Sequence, residues 1–210
     1  MCALASRLVA EYGHTRCIAI LSEALLQTAT GEIQEISLKR SVDHSHESYL
    51  DIIRGKSAWL IRAACEVGAV AAGADETQIE KAAEFGLNLG MGFQIVDDAL
   101  DFAPSSKNTG KPVGGDLKEG KLTPPLLYYV EALSPVARDN FLKEFTEGAF
   151  TEAEIAEIAA AIRATGCGQK TYALARTYLD KAAACLPFFP TGPEVDLLAQ
   201  VVDYVGLRDK

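Results

Sequence analysis

The sequence predicts an all-α protein, and three observations carry that prediction. Thirty-two of the 210 residues are Ala, the strongest helix former. β-Branched residues are scattered and nowhere alternate with polar ones as a half-buried strand requires. Capping residues and Gly or Pro stops recur between stretches whose apolar residues fall at steps of three and four. A chain of this length buries roughly 70% of its unfolded surface in one core, so a single domain spanning residues 1–210 is predicted.

Residues 1–12 read as helix, with Leu4, Leu8 and Tyr12 on one face and no capping residue ahead. The domain is therefore expected to begin upstream of Met1. From about Thr15 to Arg40, the stripe Ile18, Leu21, Leu25, Ala29, Ile33 and Ile36 predicts a long helix with one buried face. A third helix runs from about Ser48 to Ala72 and stops at Gly73, where a left-handed residue costs little. The small residues of Ala63–Ala74 suggest that it is central and buried. Asp75 with Gln78 forms a capping box opening a helix to about Phe102, which Pro104 closes. Two more helices begin at Thr123-Pro124 and at the Thr151 to Glu154 box after Gly148, and the last two span about 169–186 and 193–205.

Charge and composition exclude several functions. With 29 acidic and 20 basic residues the net charge is −9, which argues against a nucleic-acid or anionic-lipid surface. No run without a charged residue exceeds the twelve of Phe85–Val96, short of the ~18 that span a bilayer. Without a signal-like start, a cytoplasmic location is expected. Cys2, Cys17, Cys65, Cys167 and Cys185 are odd in number and lack any Cys-x-x-Cys pair, so they read as small buried residues. His44 and His46 lie in a polar connection without a third ligand and read as surface histidines, and Trp59 reads as core.

The chemistry concentrates in Phe93–Phe102. On a helix Asp97 stacks over Asp101 at i and i+4, and Asp98 lies about 100° round from Asp97. Three carboxylates after an apolar run, in the last turns where the helix dipole opposes them, need a cationic partner. Mg²⁺ suits, because it takes one or two carboxylates together with phosphate oxygens and water. A solvated acidic helix end is the plain alternative. Next comes a polar, Gly-rich segment from Pro104 to Pro125 bearing Lys107, Lys111, Lys118 and Lys121, a place to hold an anion in an acidic protein. Gly115 to Lys121 matches all but the last position of a nucleotide-binding loop, but Leu122 replaces the required Ser or Thr and no strand precedes it.

These residues resemble the trans-isoprenyl diphosphate synthases (polyprenyl synthetases), most closely the long-chain, octaprenyl-type branch. The family's second aspartate-rich motif stands here as Phe93, Gln94, Asp97, Asp98 and Asp101, and its lysine loop as Gly110, Lys111, Asp116, Leu117, Gly120, Lys121 and Thr123. Tyr49 to Ala58, with Lys56 and Ser57, resembles the Lys-Thr helix; Gly31, Glu32 and Glu35 fall on an earlier helix of the core, and Arg208-Asp209-Lys210 is similar to the basic tail. The resemblance implies an isoprenoid synthase helical bundle, usually a homodimer. It implies Mg²⁺-assisted condensation of an allylic diphosphate with isopentenyl diphosphate. Carried over by position, Asp97 and Asp101 hold Mg²⁺, with Asp98 second or through water. Lys56, Ser57, Gln94, Lys111 and Lys121 contact the allylic diphosphate, with Asp97, Lys56 and Lys121 catalytic, and an apolar tail lies near residues 18–36 and 60–72. Asp97-Asp98 is the only Asp-Asp pair, and the family's first aspartate motif is not in the sequence. The 210 residues are thus expected to be the C-terminal two-thirds of a synthase, inactive alone. A non-catalytic partner subunit is the alternative.

Overall fold

The computed structural model describes residues 2–103 and 113–208, and among them every regular element is helical. The helices are α1 (Cys2–Tyr12), α2 (Thr15–Leu38), α3 (His46–Ile53), α4 (Trp59–Ala71), α5 (Glu76–Leu100), α6 (Gly115–Glu119), α7 (Pro124–Ala132), α8 (Pro135–Glu147), α9 (Glu152–Ala164), α10 (Cys167–Ala183) and α11 (Pro193–Gly206). No helix among the described residues is long and apolar enough to cross a membrane.

The bundle is organised around α5. Its uncharged stretch is buried on nearly every side: Phe85, Met91, Ile95 and Val96 are all at most 1% exposed. Such a helix needs neighbours on several faces, and it packs along α4 and α10. Close approach is possible because α5 carries Gly86 against the backbone of Ile61 and Arg62, Gly90 against Ala58, and Gly92 against Leu179. The central helix is therefore α5 and not the Ala63–Ala74 stretch. In α4 only Ala63 and Val70 are buried, and a Cβ on Gly68 would meet nothing.

A second expectation is also corrected. The buried positions of α2 are Cys17, Ala24 and Gly31, spaced by seven, while Ile33 and Ile36 are 66% and 63% exposed. The apolar stripe exists but faces away from the bundle, because α2 presents its smallest residues to α4. Periodicity marks an apolar face without saying what covers it.

The local signals fare better. Asp75 and Gln78, and Thr151 and Glu154, form the two capping boxes, and Gly73 and Gly148 are left-handed at φ 71° and 66°. The helix near Ser48 starts earlier, capped by Ser45 with Ser48. Among the described residues of the segment before Pro125, Gly115–Glu119 form α6; Pro104 and Lys107 lie outside the described residues.

Between α3 and α4 the chain does not break. Residues Arg54–Ala58 form a π turn inside one helical run, a feature frequent at functional sites. Gly31 and Gly55 meet there, and a Cβ on Gly31 would overlap the Lys56 amide. The crossing of α2 over the π turn fixes where Lys56 and Ser57 point.

Candidate functional site

Lys56 and Ser57 open on a cavity of about 250 Å³ lined by residues of α2, α3, the π turn, α5, α6 and the turn after α6. Ser57 Oγ–H donates to Gln94 Oε1 at 2.8 Å, and Gln94 Nε2–H donates to Asp98 Oδ1 at 2.8 Å. The Tyr49 hydroxyl donates to Asp98 Oδ2 at 2.6 Å. One hydrogen-bonded chain thus ties the π turn, α3 and α5 together at the cavity floor.

The three aspartates of α5 have different surroundings. Asp97 is half exposed and pairs with Arg208 Nη2 at 3.1 Å. Asp98 is buried, and burial pushes its carboxyl up to about 7 although Tyr49 and Gln94 bond its charged form. Asp101 accepts the amides of Gly115 and Asp116, each at 3.1 Å, and so anchors the start of α6 outside the cavity wall.

Asp116 was part of the lysine-loop motif, but nothing in the sequence marked it as buried. Burial and the charges of Asp98 and Asp101 raise its carboxyl to about 8, which Lys121 and the Thr123 hydroxyl only partly oppose. Its Oδ2 is buried without a hydrogen-bond partner. Carboxylates crowded in this way suit a hard divalent cation with oxygen ligands. Among the described residues no group of three is already arranged to hold a metal ion, so ligand oxygens and water must complete any coordination shell.

Both cavity lysines are occupied by carboxylates. Lys56 Nζ lies 2.7 Å from Glu35 and 3.0 Å from Glu32, and Lys121 Nζ lies 2.8 Å from Glu119 and 3.5 Å from Glu35. Partial burial works against each ammonium, but these glutamates hold both above the ordinary lysine value. Five carboxylates and two lysines line the cavity. An anion entering alone meets net negative charge, and one arriving with a divalent cation does not.

The structure therefore brings Lys56, Ser57, Gln94, Asp97, Asp98 and Lys121 around one space. It leaves Asp101 behind α6, and Lys111 lies outside the described residues. Lys118 reaches Glu152 at 3.2 Å and does not line the cavity. His44 corrects a reading: it is half-buried in the cavity wall, its Nε2–H bonded to the Leu38 carbonyl at 2.7 Å, and burial lowers its pKa. His46 pairs with Glu131 at 3.1 Å and its ring lies against Tyr128, so neither histidine is simply a surface group. Trp59 is not fully core either, for it is half-buried under the Arg62 guanidinium. Glu35 and Tyr49 carry the site as much as the lysines do, and only their proximity in space reveals it.

Comparison with known proteins points one way. The polyprenyl synthetase family model matches residues 1–162. The chain is 39% identical over 204 residues to the heptaprenyl diphosphate synthase component 2 of Geobacillus stearothermophilus, covering 96% of this chain and 62% of that protein. It is 28% identical over 206 residues to the octaprenyl diphosphate synthase of Escherichia coli, covering 98% and 64%. The structure superposes with a TM-score of 0.92 and 34% identity on a Caulobacter crescentus polyprenyl synthase solved with calcium and isoprenyl diphosphate, covering 99% of this chain and 63% of that one. A Rhodobacter capsulatus decaprenyl diphosphate synthase gives 0.90 and 31%, covering 97% and 63%. In each case the chain spans less than two-thirds of the other's length.

Proposed function

Because the chain belongs to the polyprenyl synthetase family, we propose that it forms the diphosphate- and metal-binding side of a trans-prenyltransferase joining an allylic diphosphate to isopentenyl diphosphate. The observation that carries this reading is the convergence of Lys56, Ser57, Gln94 and Lys121 on one cavity that five carboxylates also line. Ionisation of the allylic C–O bond concentrates charge on the departing diphosphate, and the two ammoniums are fixed where that charge develops. The isopentenyl double bond then adds to the allylic cation, and loss of a proton leaves a chain five carbons longer. Glu35 and Glu119 hold the lysines in place until the diphosphate displaces them. Bound Mg²⁺ would polarise the diphosphate oxygens and neutralise the leaving group. Asp97, open to the cavity, is its proposed first ligand, with Asp98 contributing through water and Asp101 joining only on release of the Gly115 and Asp116 amides. The exposed Ile33 and Ile36 of α2 and Leu60 of α4 support apolar walls for the isoprenoid tail.

The test is calorimetric titration of the purified chain with inorganic pyrophosphate, with and without Mg²⁺. Binding is expected only with Mg²⁺, and K56A and K121A should each weaken it roughly tenfold, about one charge-assisted hydrogen bond. Absence of Mg²⁺-dependent binding at millimolar pyrophosphate refutes the reading. With a single Asp-Asp pair, incorporation of isopentenyl units by these 210 residues alone is not expected.

Exposed Leu4, Leu8 and Tyr12 on α1 and Ile18 and Leu26 on α2 support a homodimer, which sedimentation would show. A second reading is favoured by two relatives whose names make them component 2 of a heptaprenyl diphosphate synthase. In it the same face meets an unlike subunit, with this chain catalytic or non-catalytic, and co-purification of such a subunit with a chain monomeric on its own would select it. A cytoplasmic location is part of the proposal and is checked by cell fractionation.

A further inference from the structure

Among the described residues one non-glycine adopts a left-handed backbone: Arg40, φ 59°, in the connection between α2 and α3. That conformation strains a residue with a Cβ and persists only where the surroundings over-determine it. Three hydrogen bonds do so here. The Arg40 amide donates to the Gly120 carbonyl at 2.9 Å, Nη2 to the Lys118 carbonyl at 2.9 Å, and Nη1 to the Phe145 carbonyl at 3.3 Å. The guanidinium thus bonds carbonyls at the C-terminal ends of both α6 and α8, that of Phe145 in addition to the Gly148 amide it already accepts at 3.2 Å.

The surroundings are shaped for this guanidinium. Gly120 and Gly148 end those two helices with φ 77° and 66°, and a Cβ on either would strike the Arg40 side chain. Gly120 immediately precedes Lys121, whose amide returns to the Asp116 carbonyl at 2.9 Å. Whatever fixes the Gly120 carbonyl therefore fixes the turn from which Lys121 enters the cavity. Arg40 does not itself line that cavity.

We propose that Arg40 is a positioning residue, clamping the Gly115–Lys121 segment so that the Lys121 ammonium and the Asp116 carboxylate are presented to the cavity. The inference rests on the reading of that cavity as a diphosphate site, but the clamp can be measured without a ligand. Arg40→Gly keeps the left-handed backbone without strain and removes the guanidinium. Arg40→Lys keeps a cation but not the fork that spans two carbonyls.

Amide hydrogen exchange and Mg²⁺-dependent pyrophosphate titration on both variants test the proposal. In R40G, exchange in residues 115–121 should rise roughly tenfold while α10 keeps its rates, and pyrophosphate affinity should fall roughly tenfold, with R40K in between. Unchanged exchange in 115–121, or acceleration spread evenly through the chain, overturns the proposal. So does an R40G chain that binds pyrophosphate as tightly as the unaltered one. Should the unaltered chain bind no pyrophosphate, the cavity reading fails, and a local rise in exchange still supports the clamp. If R40G does not fold, R40K decides by the same readouts.

Discussion

Placing Ala at Gly31 probes the crossing on which the site depends. Its Cβ would lie 2.9 Å from the Ile52 carbonyl oxygen and 3.0 Å from the Gly55 carbonyl carbon, besides overlapping the Lys56 amide. Comfortable carbon contacts are about 3.5–4.0 Å, so α2 must retreat from the π turn by roughly 1 Å. All three obstacles are backbone and cannot rotate aside, which puts the overpacking cost near the top of its range, about 3 kcal/mol. Better helix propensity returns about 1 kcal/mol, leaving about 2 kcal/mol of net destabilisation. With a urea m-value of about 2 kcal/mol/M, the unfolding midpoint should drop by about 1 M. The same retreat carries Glu35 away from Lys56, now 2.7 Å apart, so pyrophosphate affinity should change as well. Gly68→Ala is the internal control: it too is helical but faces open space, and should raise stability by about 0.5–1 kcal/mol. A Gly31→Ala chain as stable as the unaltered one, or a Gly68→Ala chain equally destabilised, would refute this account of the crossing.

Two further outcomes are expected. Glu35→Gln removes one carboxylate shared by both lysines, so pyrophosphate should bind about threefold tighter and with less dependence on Mg²⁺ in the titration; weaker binding would show that Glu35 chiefly pre-organises the lysines. Asp116 is held up to about 8 when folded, whereas an unfolded Asp ionises near 3.9. Its contribution to stability is therefore complete below about pH 4 and is lost as pH rises through about 8. Thermal melts in EDTA should show Asp116→Asn more stable than the unaltered chain at pH 8.5, by about 1–2 kcal/mol, with the advantage vanishing at low pH. Parallel pH profiles for the two chains would contradict the assigned burial.

The sequence by itself determined the helical class, most helix ends and the identity of the chemistry-bearing residues. These are local matters. A capping box such as Asp75 with Gln78 closes within three residues, a left-handed Gly73 or Gly148 needs no partner, and the spacing of Asp97, Asp98 and Asp101 follows from 3.6 residues per turn. The Lys56-Ser57 pair and the lysine loop were legible as patterns too, and the structure brings Lys56, Ser57 and Lys121 to one cavity.

Only the tertiary structure decided which faces were covered and what each charge meets. The apolar stripe of α2 points outward because Gly31 must cross the π turn, and the central helix is α5 because its glycines admit three neighbours. Among three adjacent aspartates, Asp98 is buried because Tyr49, 49 residues away in sequence, and Gln94 close over it, while Asp97 reaches Arg208 and Asp101 the amides of α6. Glu35 bridges two lysines and Arg40 joins two helix ends across 105 residues of sequence. Burial and electrostatic pairing depend on distance in space, and residues far apart in the chain acquire that distance only once the helices have packed.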